Sequence, residues 1–240
     1  MSDLPDTFAP YDEATQPAMT IEHYAETFVR VPKNPLFRRP VTLTEITGPT
    51  RLARKLKPGD NDLAHPYKDQ PRAMGLPIRV SGRLLDEDAR PVRGAVIELW
   101  HCNSAGRYIH PMDAKNPNPI DPHFLGSGRV ATDSEGRYEF LTIKPGAYPY
   151  PNHPTRWWRP PHIHMSIFGD GFMSRLVTQM FFPGDPFNDI DLILNAVPDP
   201  RARSRMIARQ LPMAEMPMLN VVGFEHDLVV RGQRQTPFGM

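Results

Sequence analysis

The sequence predicts an all-β fold: a β-sandwich of mixed or antiparallel short strands with long ordered loops, an extended N-terminal arm and one or two short helices. Short apolar runs rich in branched and aromatic residues recur between about residues 76 and 233, each bounded by turn residues, the signature of a sandwich. Proline is abundant, 29 of 240 residues, more than twice the usual share of about 5%. It is spread along the chain, and because proline interrupts helices and interior strands this implies short strands joined by stiff loops. The single cysteine, Cys102, excludes an intrachain disulfide framework and a CxxC zinc site, so the core must come from apolar packing. Cys102 itself reads as a small buried apolar residue.

The elements follow in order. Residues 1–75 are punctuated by proline and weakly periodic, and read as an arm packing on the following domain and on a partner chain. Within it, "TIEHYAETFVRV" (Thr20 to Val31) predicts a short helix with Thr20 as N-cap. "VTLTEITGPT" reads as a short strand or extended segment, and "RLARKLK" (Arg51 to Lys57) as a solvated basic surface. Residues 76–240 hold the sandwich. "LPIRVSGRLLDEDARPVRGAVIELWHC" reads strand, turn, strand. "GRVATDSEGRYEFLTIKPG" repeats the scheme with "DSEG" as a hairpin loop, and alternation places Tyr138, Phe140 and Thr142 on one face. "HIHMSIFG", "RLVTQMFF" and "GFEHDLVVRGQ" supply further strands, and "DPRARSRMIARQL" (Asp199 to Leu211) a helix.

Net charge is +1, with basic residues scattered, so no electrostatic footprint argues for nucleic acid or an anionic membrane. "MSDLPDTFAP" has neither the basic nor the apolar region of a signal peptide. No apolar run approaches the roughly 18 residues of a membrane span. The expectation is a soluble cytoplasmic protein.

Chemistry concentrates in "RWWRPPHIHMSIFG" (Arg156 to Gly169). His162 and His164 are two apart and share one face of a strand. Neutral imidazole is the commonest metal ligand; a half-buried strand that happens to carry two histidines is the other reading. No carboxylate lies near enough in sequence to complete a two-His-one-carboxylate site. Two tyrosines stand out instead: Tyr108 in "NSAGRYIHP", a loop following a strand, and Tyr148 in "KPGAYPYP", a proline-stiffened turn. A bound cation can deprotonate a ligand outright. Two phenolates would offset two of ferric iron's three positive charges and a hydroxide the third, and near-neutral sites are the tolerable ones in a dry pocket. Such a set favours Fe(III) over Fe(II) and disfavours zinc. Arg159 and Gln179 taken alone read as a surface ion-pairing residue and a hydrogen-bonding filler.

The stretch "GRYIHPMDAKNPNPIDPHFLGSGRVATDSEGRYEFLTIKPGAYPY", followed by "WRPPHIHMSIFG", "LVTQMFFPGDP" and "DLVVRGQRQTPF", resembles the intradiol aromatic-ring-cleaving dioxygenases. The resemblance covers nearly the whole chain, most specifically Leu76 to Pro186, and "HYAETFVRVPKNPL" and "TEITGPT" fit the arm of its two-subunit branch. It implies a non-haem Fe(III) cofactor held by Tyr108, Tyr148, His162 and His164. Tyr148 and His164 would be axial, and Tyr148 would also serve as a base. Arg159 is implied to sit against the substrate ring beside Gln179, with Tyr24, Tyr150 and Ile193 lining the pocket. Tyr150 departs from the tryptophan usual two residues after the axial tyrosine. The implied reaction is cleavage of a catecholic acid such as protocatechuate by O2 to 3-carboxy-cis,cis-muconate, in the β-ketoadipate route of aromatic catabolism. The implied partner is an α subunit of the same sandwich, in a higher oligomer. A relative acting on 4-sulfocatechol or hydroxyquinol, and a non-catalytic β-sandwich binding module, are the competing readings.

Overall fold

A computed structural model describes residues 13–34, 56–66, 69–150, 157–169, 175–213 and 220–239. The expected strand at "VTLTEITGPT" and most of the basic "RLARKLK" stretch lie outside these residues.

Two sheets pack face to face, with burial alternating along β1 and the first part of β4 and nearly continuous along β7 and β8. The first centres on β1 (Pro77–Leu85). One edge of β1 pairs antiparallel with β4 (Arg137–Ile143). The other edge pairs parallel with β10 (Val222–Glu225) and then β11 (Leu228–Val229). Strand β9 (Arg209–Gln210) adds to β10. The second sheet is antiparallel, in the order β3 (Ser127–Ala131), β2 (Val96–Trp100), β7 (His162–Phe168), β8 (Arg175–Phe181). Ile78, Val80, Tyr138 and Phe140 from the first sheet meet Ile97, Leu99, Ile163, Met165, Ile167 and Met180 from the second in one buried cluster. Burying each such side chain contributes about 1.5–3 kcal/mol. The mixed-strand sandwich matches the fold class the sequence predicts.

Three local expectations are corrected. "DSEG" does form a tight turn, with the Asp133 carboxylate accepting the Glu135 and Arg137 amides and Gly136 at φ +70. It is not a hairpin loop, because β3 pairs with β2 and β4 with β1. The turn carries the chain across the core, so that Val130 and Phe140 enter one buried cluster from opposite sheets. The helix expected through Leu211 ends early. It spans Pro200–Ser204 (α2), capped by Asp199, because the backbone of Met206 and Ala208 is taken by Phe181 and β9 joins the sheet. Near the N-terminus α1 covers only Ala25–Arg30, with Tyr24 rather than Thr20 at its N-cap. His23 has φ 66, which stops a helix from running through it. The Thr27 hydroxyl fills the gap by accepting the Ile21 amide and donating to the Tyr24 carbonyl.

"GFEHDLVVRGQ" gives two short strands instead of one. Between them the Asp227 carboxylate accepts the Arg83 amide in place of a backbone carbonyl. The described part of residues 13–34 lies on the loops of the sandwich: Ala18 donates to the Ala196 carbonyl and Asp199 to that of Ala14. Among the described residues no helix is long and apolar enough to cross a membrane.

Candidate metal centre

Ile163, Met165 and Ile167 point into the core, so the alternation of β7 turns His162 and His164 to the outer face of the second sheet. There His164 lies between Trp100 of β2 and Gln179 of β8 in register. The Trp100 ring stacks on the His164 imidazole at 4.8 Å between centroids, 4° from parallel. His162 places Nδ1 2.7 Å from the Pro160 carbonyl. A carbonyl only accepts, so Nδ1 carries the proton and Nε2 of the neutral ring presents a lone pair. That Nε2 lies 3.2 Å from His164 Nε2 and 3.5 Å from Tyr108 Oη.

The tyrosines come from two loops over this face. Tyr148 begins the short strand β5 (Tyr148–Pro149), which pairs with β6 (Trp158–Arg159) and so sets Tyr148 opposite Arg159. The Tyr108 and Tyr148 rings meet edge to face at 5.4 Å, and Tyr148 is 5.7 Å from the His162 ring. The Tyr108 loop is fixed by its polar residues. The Asn103 side chain accepts the amides of Ala105 and Arg107, and Asp113 accepts that of Tyr108 at 2.7 Å. The Arg107 guanidinium binds the carbonyls of Asn116 and Asn118.

The two loops touch through glycine. A Cβ on Gly106, at φ +76, would lie 2.5 Å from the Ala147 carbonyl oxygen and 3.1 Å from the Tyr148 Cβ. Gly106→Ala should therefore cost about 2–4 kcal/mol, from the left-handed backbone and the overlap together. It should also separate the tyrosines. A thermal melt together with the metal content of the purified variant checks this.

Burial governs the electrostatics. It pushes the His164 imidazole down to about 3, with Arg159 adding to the effect. His162 is held well below the ordinary range by burial and then by Arg159. Both rings are thus neutral near pH 7 with lone pairs available. Burial also raises both phenols, and for Tyr108 the neighbouring Tyr148 adds to the rise. For Arg159, burial alone would lower the guanidinium, but Asp191 and the tyrosines outweigh it and leave it raised. Four neutral donors, His162 buried and Tyr108, Tyr148 and His164 partly exposed, with no carboxylate among them suit a hard trivalent cation that can turn the phenols into phenolates.

A cavity of about 690 Å³ opens over this point, lined by Tyr24, Tyr108, Tyr148, Tyr150, Arg159 and His164 among others. Arg159 Nη1 is 3.4 Å from His162 Nε2, and Tyr150 Oη donates to Tyr24 Oη at 3.3 Å. Gln179, expected beside the substrate, is fully buried and accepts from Arg159 Nη2 at 2.7 Å. Ile193 is not among the lining residues; it packs with Ile21, Tyr24 and Trp157 at the cavity's side. His101 has both ring nitrogens engaged, with the Cys102 carbonyl and the Thr142 hydroxyl. Burial pushes the Cys102 thiol up to about 12. A second hollow of about 580 Å³ offers no convergent donors, since its Arg79 and Arg137 are paired with Glu139 and Asp133.

Sequence reasoning missed Asp191, whose carboxylate lies 2.8 Å from Arg159 Nε. Its one signal is an acid set between two apolar residues, Ile190 and Leu192, with Asp189 just before them. Asp113, too, shows only as an acid five residues after Tyr108.

A family model described as "Dioxygenase" matches residues 46–232. The protocatechuate 3,4-dioxygenase β chain of Burkholderia cepacia is 45% identical over 236 residues, 98% of either chain. The chain belongs to the intradiol dioxygenase family. Other intradiol dioxygenases match it over less of their length. A chlorocatechol 1,2-dioxygenase of Rhodococcus opacus is 35% identical over 125 residues, 48% of this chain and 46% of that one. The solved hydroxyquinol 1,2-dioxygenase of Pseudomonas putida DLL-E4 superposes with a TM-score of 0.52 at 23% identity, covering 85% of this chain and 70% of that one. At that identity the likeness speaks for the intradiol dioxygenase fold alone.

Proposed function

We propose that this intradiol dioxygenase chain is the catalytic β subunit of a protocatechuate 3,4-dioxygenase. It would open 3,4-dihydroxybenzoate between its two hydroxylated carbons with both atoms of O2, giving 3-carboxy-cis,cis-muconate. The observation that carries this is the convergence of His164 Nε2 and Tyr108 Oη on His162 Nε2, at 3.2 and 3.5 Å, with Tyr148 beside them. It occurs in a chain similar over nearly its full length to a protocatechuate 3,4-dioxygenase β chain.

Tyr108, Tyr148, His162 and His164 would hold a non-haem Fe(III). That ion would supply Lewis acidity and a redox partner for an electron-rich, doubly hydroxylated ring. The protein's own groups do the rest. With the ion bound Tyr148 would be a phenolate, and its oxygen would take the proton of one substrate hydroxyl to become a phenol. The Arg159 guanidinium faces the ring and stabilises negative charge as it develops there, an electrostatic role. Gln179 acts by holding Arg159. Tyr24 and Tyr150 bound the far side of the cavity.

Exposed Ile109, Met112 and Leu125 stand at the cavity mouth and support an α subunit of the same family covering it. Residues 1–75 would act as an arm on this assembly, beside a catalytic domain of residues 76–240. The enzyme would act in the cytoplasm, in the β-ketoadipate route.

The Tyr150–Tyr24 hydroxyl contact favours a second reading in which the ring carries another substituent, as in 4-sulfocatechol or hydroxyquinol. Oxygen uptake with a panel of catechols, using the chain co-expressed with its α partner, tests both. The expected result is coloured, iron-containing protein that consumes one O2 per protocatechuate. Colourless protein without iron would overturn the proposal, and a preference for another catechol would decide for the second reading.

A further inference from the structure

We propose that Asp191 is a positioning residue for Arg159, fixing the plane of the guanidinium so that Nη1 faces the cavity; this rests on the catechol-cleaving role given to Arg159 above. Arg159 is 2% exposed and Asp191 fully buried. The Asp191 carboxylate takes Nε–H through Oδ2 at 2.8 Å and approaches Nη2 through Oδ1 at 3.4 Å. Gln179 Oε1 takes Nη2 at 2.7 Å. Two of the three guanidinium nitrogens are thereby held from behind. The third, Nη1, lies 3.4 Å from His162 Nε2.

Asp191 is itself anchored. Oδ1 accepts the Leu194 amide at 2.7 Å, and its carbonyl accepts Asn195 Nδ2 at 2.9 Å, at the 3-10 turn Leu194–Ala196. A forked carboxylate pair sets direction as well as charge. Without it, Gln179 alone would hold one amino group, and the plane could turn about the Cδ–Nε bond. A buried ion pair is weak evidence of a stabilising purpose. The geometry instead points to orientation, because the carboxylate sits on the side of the guanidinium away from the cavity.

The test compares Asp191→Asn, Arg159→Ala and the double variant in the full chain, each purified in the assembly in which the wild type is active. Asp191→Asn should keep the wild-type metal content and visible absorption and a KM within about threefold. It should lose kcat by about 10–100-fold, the scale for outer partners of a site. The double variant should be no slower than Arg159→Ala, since Asp191 acts through that side chain. In the iron-free wild type, the 15N-labelled Arg159 Nε–H should give a downfield, slowly exchanging resonance that Asp191→Asn abolishes. This reading needs no turnover, so it separates failure of the positioning role from failure of the ring-cleavage role. Wild-type kcat in Asp191→Asn, losses that multiply in the double variant, or an unchanged resonance would each overturn the proposal. If Asp191→Asn does not fold, Asp191→Glu keeps the charge while shifting the fork by a methylene. It should lose kcat about tenfold with the absorption unmoved, and a wild-type kcat there would equally overturn the assignment.

Discussion

His162→Ala should yield a folded chain that neither colours with iron nor consumes oxygen with protocatechuate. His162 presents the lone pair around which the other donors gather. Its loss should lower iron affinity by more than the roughly 10–100-fold that the loss of an outer partner costs. The fold should survive, because the ring sits on the outer face of the second sheet and its one backbone partner, the Pro160 carbonyl, is worth only about 1 kcal/mol. Metal analysis and circular dichroism of the purified variant check the two halves together. Iron content near wild type would remove His162 from the metal centre, and a collapsed spectrum would make its role structural.

Arg159→Ala should damage activity and stability together. Removing one oriented donor from developing charge costs about 100–1,000-fold in kcat. It also strands the Asp191 carboxylate where water does not reach, and breaking a buried pair from one side costs about 3–5 kcal/mol. For a chain of this size that corresponds to a melting point lower by roughly 10 °C. Arg159→Lys keeps a charge but not the planar fork, and should recover part of the stability with little of the rate. A melting point unchanged in Arg159→Ala would mean that Asp191 is solvated in the variant. A kcat within threefold of wild type would take Arg159 out of the chemistry. Calorimetry and steady-state oxygen uptake measure both.

Much of this was legible in the sequence for physical reasons. Alternation fixed which face of β7 the histidines share, because the period of a strand is two and Ile163, Met165 and Ile167 have to go inward. Proline and glycine marked the loops that carry Tyr108 and Tyr148. Residues alone, however, could not choose between a metal pair and a decorated strand at His162 and His164. The resemblance supplied the ligand set, and the structure supplied the convergence. What stayed hidden was long-range. Which strand "DSEG" would send across the core depends on pairing with segments about 30 and about 60 residues away. The early end of α2 is decided by Phe181, which claims backbone that local propensity would have left to the helix. Asp191 escaped notice because its partner, Arg159, lies 32 residues earlier and one of two neighbouring acids in a loop advertises nothing. Gln179 read as a substrate neighbour, and only its packing behind Arg159 moved it back a layer.

The turns at 86–95 and 132–136 each pass the chain from one sheet to the other, so neither layer can be completed before its opposite exists. The pairings of β1 with β4, β10 and β11 and of β2 with β7 are therefore distant in sequence, which places folding in the slow regime of milliseconds to seconds typical of such topologies. Newly made chains would expose their imidazoles and phenols on unassembled segments for that interval, when no pocket yet discriminates among ions. The proposed loading with iron thus belongs at the end of maturation, after the layers have closed.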